Sequence, residues 1–301
     1  MPMRIFVFNP WHDEALAADT PYYTPTRAAS LIEEREREVM RRWMHGGDIL
    51  LSSWTERIDW EHVEAIEPWG WDKLLRRRLL RMNAPERLLP GIEYLNRLRT
   101  LSSRATACEL LRRIRSMVPT TIGEVRMCHT IGEACDTVSD YGDAVLKVPW
   151  SCSGRGVFRS QAPLAGREYN RAQKVLREQG SIAIERYIAA GRDFAMLFDY
   201  RDGRAYYAGL SVFNTSADGK YLGNVAGSHD ELLAYLSPPL DVFCAVRDAV
   251  VAVLPQLLGT SYDGPLGVDM LLSPEGIHPA VEINLRRTMG MRVPGNLNID
   301  H

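Results

Sequence analysis

Three short segments carry residue types whose spacing could do chemistry. The first is a pair of apolar runs near the end of the chain, GVDMLL and AVEINLR, interrupted by Asp269 in one and by Glu282 and Asn284 in the other. Side chains alternate with period two along a strand. An even-numbered loop through Ser273-Pro274-Glu275-Gly276 therefore puts all three on one face, and a two-residue turn at Glu275-Gly276 sets Asp269 opposite Glu282. Two carboxylates at cross-strand distance repel unless a cation or proton lies between them, and the Asn284 amide adds a third hard oxygen. Oxygen donors with room for water select Mg²⁺ or Mn²⁺ over zinc. The competing reading is a hairpin face turned to solvent, where acids are ordinary.

The second segment is AVLKVPWSCSGRGV, in which Lys147 sits in an apolar strand that runs into a loop of small residues, Ser151 to Gly156. Such a loop can offer backbone N–H groups to phosphate oxygens, with the ammonium as counter-charge. It matches neither G-x-x-x-x-G-K-S/T nor the full G-x-G-x-x-G, and a hairpin turn beside a snorkelling lysine fits as well. The chain has only four lysines among its 36 basic residues, so one kept inside a strand stands out. In the third segment, SIAIERYIAAGRDF, a strand ends at Glu185-Arg186-Tyr187-Ile188, and Asp193 follows a turn at Gly191. A strand end of this kind can present backbone groups to a purine edge and acids to an amino group and a ribose hydroxyl.

These segments need a scaffold, and the patterning supplies one. RIFVF (4–8) reads as a first strand, and NPWHDEALA as a loop entering a helix. A helix is expected from residue 28 to 45, closed by Gly46-Gly47 before the strand DILLSS, which gives a β-α-β opening. The Trp-rich stretch 54–71 reads as packing between helices, and further helices are expected over 74–82 and 102–117, the latter capped by Ser102-Ser103. After Pro119 strands dominate: 143–150, 156–160, 181–188, 193–200 and 205–213, with a hairpin turn at Arg201-Asp202-Gly203. A helical stretch from 229 to 258, broken at Pro238-Pro239, precedes the final hairpin.

The order of the segments carries a resemblance. A lysine strand with a glycine-rich loop, then an E-K/R-x-I/L strand end with a later acid, then a hairpin bearing Asp and E-I/V-N-x-R, is similar to the ATP-grasp superfamily of ATP-dependent carboxylate-amine ligases, over roughly residues 100 to 292. The resemblance implies an α/β (α+β) chain: a pre-ATP-grasp, Rossmann-like β-α-β domain at 1–100, then a two-subdomain ATP-grasp domain at 101–301 with its lid near 119–185. It implies Mg²⁺ (or Mn²⁺) and ATP as cofactors, a carboxylate activated as an acyl phosphate, and an amine as nucleophile. Direct phosphoryl transfer to a hydroxyl, or nucleotide binding without turnover, are the alternatives. Carried over by position, the resemblance implies that Lys147 would contact the α and β phosphates, and that Ser153, Gly154 and Gly156 would belong to the phosphate loop. Glu185 with the backbone of Arg186 and Ile188 would hold adenine, and Asp193 would take the ribose. Asp269, Glu282 and Asn284 would bind metal, and Arg286 would stabilise the phosphoryl group in transfer. In LSSRATACELL the family's nucleotide-contacting lysine is replaced by Arg104, which keeps the charge and changes its geometry.

His12 and Asp13, on the loop after the first strand, are candidate acceptor-pocket residues, and Arg287 and Arg292 could orient a substrate carboxylate. With 36 basic against 38 acidic residues the chain lacks a footprint for nucleic acid. No apolar run approaches the roughly 20 residues of a membrane span. The start reads as a strand rather than a signal peptide, and five scattered cysteines imply neither disulfides nor zinc. The expectation is a cytoplasmic enzyme acting on ATP and small-molecule or peptide substrates.

Overall fold

β1 (Met3–Val7) buries Ile5, Phe6 and Val7, as a strand with a parallel neighbour on each side must. The structure is a computed structural model and describes residues 3–151, 156–189, 191–216 and 221–292. Contacts divide the chain into two units, Met1–Thr100 and Leu101–His301.

In the first unit β1 is followed by α1 (His12–Ala18), α2 (Arg27–Glu36), β2 (Ile49–Leu50), β3 (Val63–Pro68), α3 (Lys73–Arg81) and α4 (Ile92–Leu101). The sheet is parallel in the order β2-β1-β3. Ile5, Val7, Val63 and Ile66 pack against Leu75 and Leu79 of α3, whose first turn is capped by Asp72 accepting from Leu75 N at 2.8 Å. The helix expected to reach residue 45 ends at Glu36. Arg37–Trp43 tightens into a 3-10 turn that buries only Met40, too little apolar surface to hold a regular helix. The Trp-rich stretch contains β3, and Trp54, Trp60 and Trp71 pack on the sheet core.

The second unit opens with α5 (Arg104–Met117), then β4 (Val125–Cys128), α6 (Ile131–Tyr141), β5 (Asp143–Lys147), β6 (Val157–Gln161), α7 (Gly166–Gln179) and β7 (Ile182–Arg186). Ser103 occupies the N-cap of α5 without a side-chain bond; the first helical N–H, of Arg104, goes to Pro149 O at 3.1 Å instead. The strands form an antiparallel sheet, β4-β7-β5-β6. Ala144, Leu146, Ile182 and Ile184 point to one face and pack against Ala134 and Val138 of α6 and Ala172 and Val175 of α7.

β8 (Arg192–Arg201), β9 (Arg204–Thr215), β10 (Tyr221–Asn224), α8 (His229–Leu236), α9 (Leu240–Leu258), β11 (Gly264–Ser273) and β12 (Gly276–Asn284) complete the unit. Asp202-Gly203, both at positive φ, make the two-residue β8–β9 turn. The second antiparallel sheet runs β10-β9-β8-β11-β12, and α9 covers the face on which Phe194 meets Phe243. Among the described residues no helix is long and apolar enough to cross a membrane.

Candidate functional site

In the four-stranded sheet, period two assigns the roles. Because Leu146 and Ile184 point to the helices, Lys147 and Glu185 point to the opposite face. Lys147 pairs in register with Ala183 and Glu185 with Val145, so the two side chains are diagonal neighbours. Lys147 Nζ donates to Glu185 Oε2 at 2.5 Å, with the residues 7% and 9% exposed. Burial alone would raise the Glu185 carboxyl, but Lys147, His278 and Arg104 around it hold it below its ordinary value.

The five-stranded sheet arranges the face opposite α9 in cross-strand rows. Phe213, Asp193, Leu271 and His278 form one row, and Ser211, Ala195, Asp269 and Glu282 form the next, roughly 7 Å along the strands. Asp269 and Glu282 are directly opposite, but not through the expected turn at Glu275-Gly276. Ser273 pairs with Gly276, so Pro274-Glu275 make the turn. That register carries Leu271 to His278, and a bulge with two extra β12 residues then restores the pairing of Asp269 with Glu282. Pro279, which has no N–H to give to the ladder, lies in that bulge. An even shift preserves parity, so the three oxygen-bearing residues still share a face.

Asn284 Nδ2 donates to Asp269 Oδ2 at 3.1 Å, and its Oδ1 accepts from Arg286 Nη2 at 2.9 Å. Burial, and after it the facing Glu282 carboxylate, raise the Asp269 carboxyl well above its usual range. Asp193 is likewise raised by burial, though it accepts a hydrogen bond from Thr215.

Arg104, 6% exposed, joins the two sheets. It donates to Val281 O at 3.1 Å and to Ser151 Oγ at 3.4 Å, and lies 3.1 Å from Glu282 Oε1. We expect Arg104→Lys to destabilise the protein by about 1–3 kcal/mol in urea unfolding, because one ammonium cannot reproduce the three-way fork and leaves buried acceptors short of donors. An unchanged midpoint would show that the fork adds nothing.

The remaining predicted residues divide. Gly156 is buried where a Cβ would overlap Val148, and its carbonyl accepts from Val148 N at 3.0 Å, so Gly156 itself lies close against the end of the Lys147 strand. Ser153 and Gly154 lie outside the described residues. The N–H of Arg186 is already given to Glu124 O at 3.0 Å, which leaves its carbonyl as the backbone group able to meet a purine amino group. Ile188 is half-buried just beyond β7. Arg287 is buried, and Arg292 ends a 3-10 turn, its side chain outside the described residues. His12 is brought not to an open cleft in its unit but to a buried polar cluster: its ring packs on Gly70, and Nδ1 is 3.6 Å from Asp72 Oδ2, which also accepts from Asn9 Nδ2 at 3.0 Å. Asp13 lies half-buried in the first turn of α1.

A cavity of about 210 Å³ opens over the acid-bearing row, lined by Asp269, Glu282, Asn284 and Arg286 and continuing to Ser211, Asn224 and Thr288. Asn224 Nδ2 donates to Ser211 Oγ at 2.6 Å. Sequence reasoning missed this wall and also His278, because Ser, Asn, Thr and His at single positions, unlike a lysine in a lysine-poor chain, break no local pattern. Among the described residues no three His, Cys, Asp or Glu side chains gather as a metal cluster. The donor set is two carboxylates and an amide. An isosteric turn of Asn284 brings Oδ1 toward Asp269, and the set then suits a hard cation, which would relieve the strained ionisation of Asp269.

No family model matches the chain, and no curated protein sequence matches it. Solved structures do. N5-carboxyaminoimidazole synthetase from Staphylococcus aureus, complexed with ADP, superposes with a TM-score of 0.54 at 11% identity over 95% of this chain and 71% of that one. D-alanyl-alanine synthetase A from Vibrio cholerae gives 0.52 at 10% identity, over 98% and 90%. D-cycloserine synthetase DcsG gives 0.51 at 15% identity, over 96% and 93%. At these identities the likeness concerns the fold, and it extends across nearly the whole chain. The fold the chain shares with these structures is the ATP-grasp fold, with two antiparallel sheets in its second unit.

Proposed function

We propose that the protein is an ATP-dependent ligase that activates a small-molecule or peptide carboxylate as an acyl phosphate for attack by an amine. The observation that carries this reading is the shared face of Asp269, Glu282 and Asn284, joined by Arg104 to the start of the loop that follows the Lys147 strand. Asp269, Glu282 and Asn284 would hold Mg²⁺, with Mn²⁺ as a substitute of the same hardness. Mg-ATP supplies the phosphoryl group and the cationic charge that offsets it. The chain's own residues do the positioning. Lys147 and Arg104 neutralise phosphate oxygens, and Arg286 faces the oxygens on which charge grows during transfer. Glu185, the Arg186 carbonyl and Ile188 receive the base, Asp193 the ribose, and the 151–156 loop covers the phosphates. We read the first unit as the pre-ATP-grasp domain, residues 119–185 as the lid, and the enzyme as cytoplasmic.

ADP release with Mg²⁺ should appear when pooled amino acids, dipeptides and small acids are supplied, and only when carboxylate and amine are both present, with mass spectrometry showing the condensed product. Phosphate left on a substrate hydroxyl would instead mark a kinase. Failure of every pool to raise ADP release above the enzyme alone, in protein shown to bind MgADP, would leave a nucleotide-binding regulator.

The acid pair also sets a pH dependence. The native Asp269 carboxyl is raised, so the unfolded chain ionises first as pH rises. The stability this group contributes is present below its ordinary value and is lost as pH climbs through the native one. In EDTA, Asp269→Asn should therefore stabilise the protein by about 1–2 kcal/mol at pH 8 and by little at pH 4, a Tm gain of a few degrees at the higher pH. Added Mg²⁺ should reverse the ranking at pH 8 by stabilising only the wild type.

A further inference from the structure

The Lys147–Glu185 pair raises a question that rests on the ligase reading above. A lysine that turns to phosphate must leave its carboxylate, and Glu185 is buried. An abandoned buried carboxylate is costly, so a second donor is needed.

We propose that His278 is the positioning residue that takes over Glu185 when Lys147 turns to the nucleotide, donating a ring N–H from the five-stranded sheet to the four-stranded one. His278 sits on β12 at the end of the row formed by Phe213, Asp193 and Leu271, on the same face as the acid hairpin. It is 2% exposed, and neither ring nitrogen has a hydrogen-bond partner. Its own backbone favours protonation of the ring.

The ring is held from above. Arg115 of α5 donates to Thr121 O at 3.3 Å and to Gly123 O at 2.8 Å, and Ile122 N donates to Ile277 O at 2.9 Å. This clamps the 121–123 segment onto β12, with Gly123 against the imidazole. Gly123 has φ +107°, and a Cβ there would overlap the ring. The same segment continues into β4, where Val125 pairs with Glu185, so the imidazole and the carboxylate lie on either side of one short connection. Glu185, Lys147 and Arg115 are the charged groups that act on the ring, and burial outweighs them, pushing it down to about 4. The imidazole is therefore neutral at pH 7, with one nitrogen able to donate and one able to accept.

The cost of the unpartnered buried ring N–H is borne by the empty protein and relieved in the loaded one, which gives the test two opposite signs. His278→Leu should leave the thermal stability of the nucleotide-free protein unchanged or higher. It should weaken MgADP, measured by titration calorimetry, about tenfold, which is 1.4 kcal/mol. His278→Gln, which keeps a donor, should recover most of that affinity. In a Glu185→Gln background the effect of His278→Leu on MgADP should shrink to twofold or less. A histidine that only packs would show the reverse, with lost stability and unchanged affinity, and that result overturns the proposal. Full additivity of the two substitutions in MgADP affinity overturns it as well. If the wild type binds no MgADP at all, the ligase reading itself fails.

Discussion

Lys147→Met is expected to destabilise the nucleotide-free protein by about 3–5 kcal/mol, and adding Glu185→Leu to the same chain is expected to return most of that loss without returning nucleotide binding. The reason lies in the asymmetry of buried ion pairs. Lys147 and Glu185 meet at 2.5 Å where water barely reaches, so removing the ammonium alone leaves a buried carboxylate with a neutral imidazole N–H at best in place of a cation, which cannot balance its charge. Replacing both by apolar side chains removes the stranded charge along with the pair. Urea unfolding of the three proteins reads the first effect, and MgADP titration reads the second. The single variant should also regain stability as pH falls, because Glu185 without its lysine takes up a proton more readily in the native state than in the unfolded chain. If the double variant binds MgADP as the wild type does, Lys147 is a structural cation and not a phosphate ligand.

Glu282→Gln should lower Mg²⁺-dependent turnover by about 10²–10³-fold while moving the unfolding midpoint only slightly. The amide is isosteric and still offers Arg104 an oxygen at the 3.1 Å position, so the buried guanidinium keeps its contacts. What disappears is the second negative charge facing Asp269, and with it most of the reason for a divalent ion to settle there. A finer readout needs no substrate. In the wild type Mg²⁺ should tighten ADP binding, and in Glu282→Gln the affinities with and without Mg²⁺ should converge. Retained Mg²⁺ enhancement would place the metal elsewhere and remove the basis of the proposed ligase.

Both predictions draw on residues that stood out in the sequence, for reasons that differ in kind. Lys147 was legible because a lysine in an apolar strand of a lysine-poor chain breaks a local pattern. Asp269, Glu282 and Asn284 were legible because period two makes their common face a matter of parity, and parity survives error. The expected turn was misplaced by one residue and a two-residue bulge went unforeseen, yet an even shift leaves every side chain on its own face. The partners of these residues were not legible. That Arg104 would reach Val281 and Glu282 across 177 and 178 positions of sequence, that His12 would turn inward onto Gly70, and that His278 would be buried with both nitrogens bare are outcomes of how sheets and helices pack.

The amino-acid order by itself determined the strands that carry Lys147, Glu185 and the acid hairpin and the common face of Asp269, Glu282 and Asn284, because these follow from backbone periodicity over a few residues, whereas α6 and α7, which precede the Lys147 and Glu185 strands, were not expected from it. Only the tertiary structure decided which charges meet. Glu185 is paired with Lys147 and Glu282 with Arg104, while both ring nitrogens of His278 are left without a hydrogen-bond partner, because contact between remote segments depends on the depth of burial and the register of two separate sheets. Neither quantity is written in any short stretch of chain.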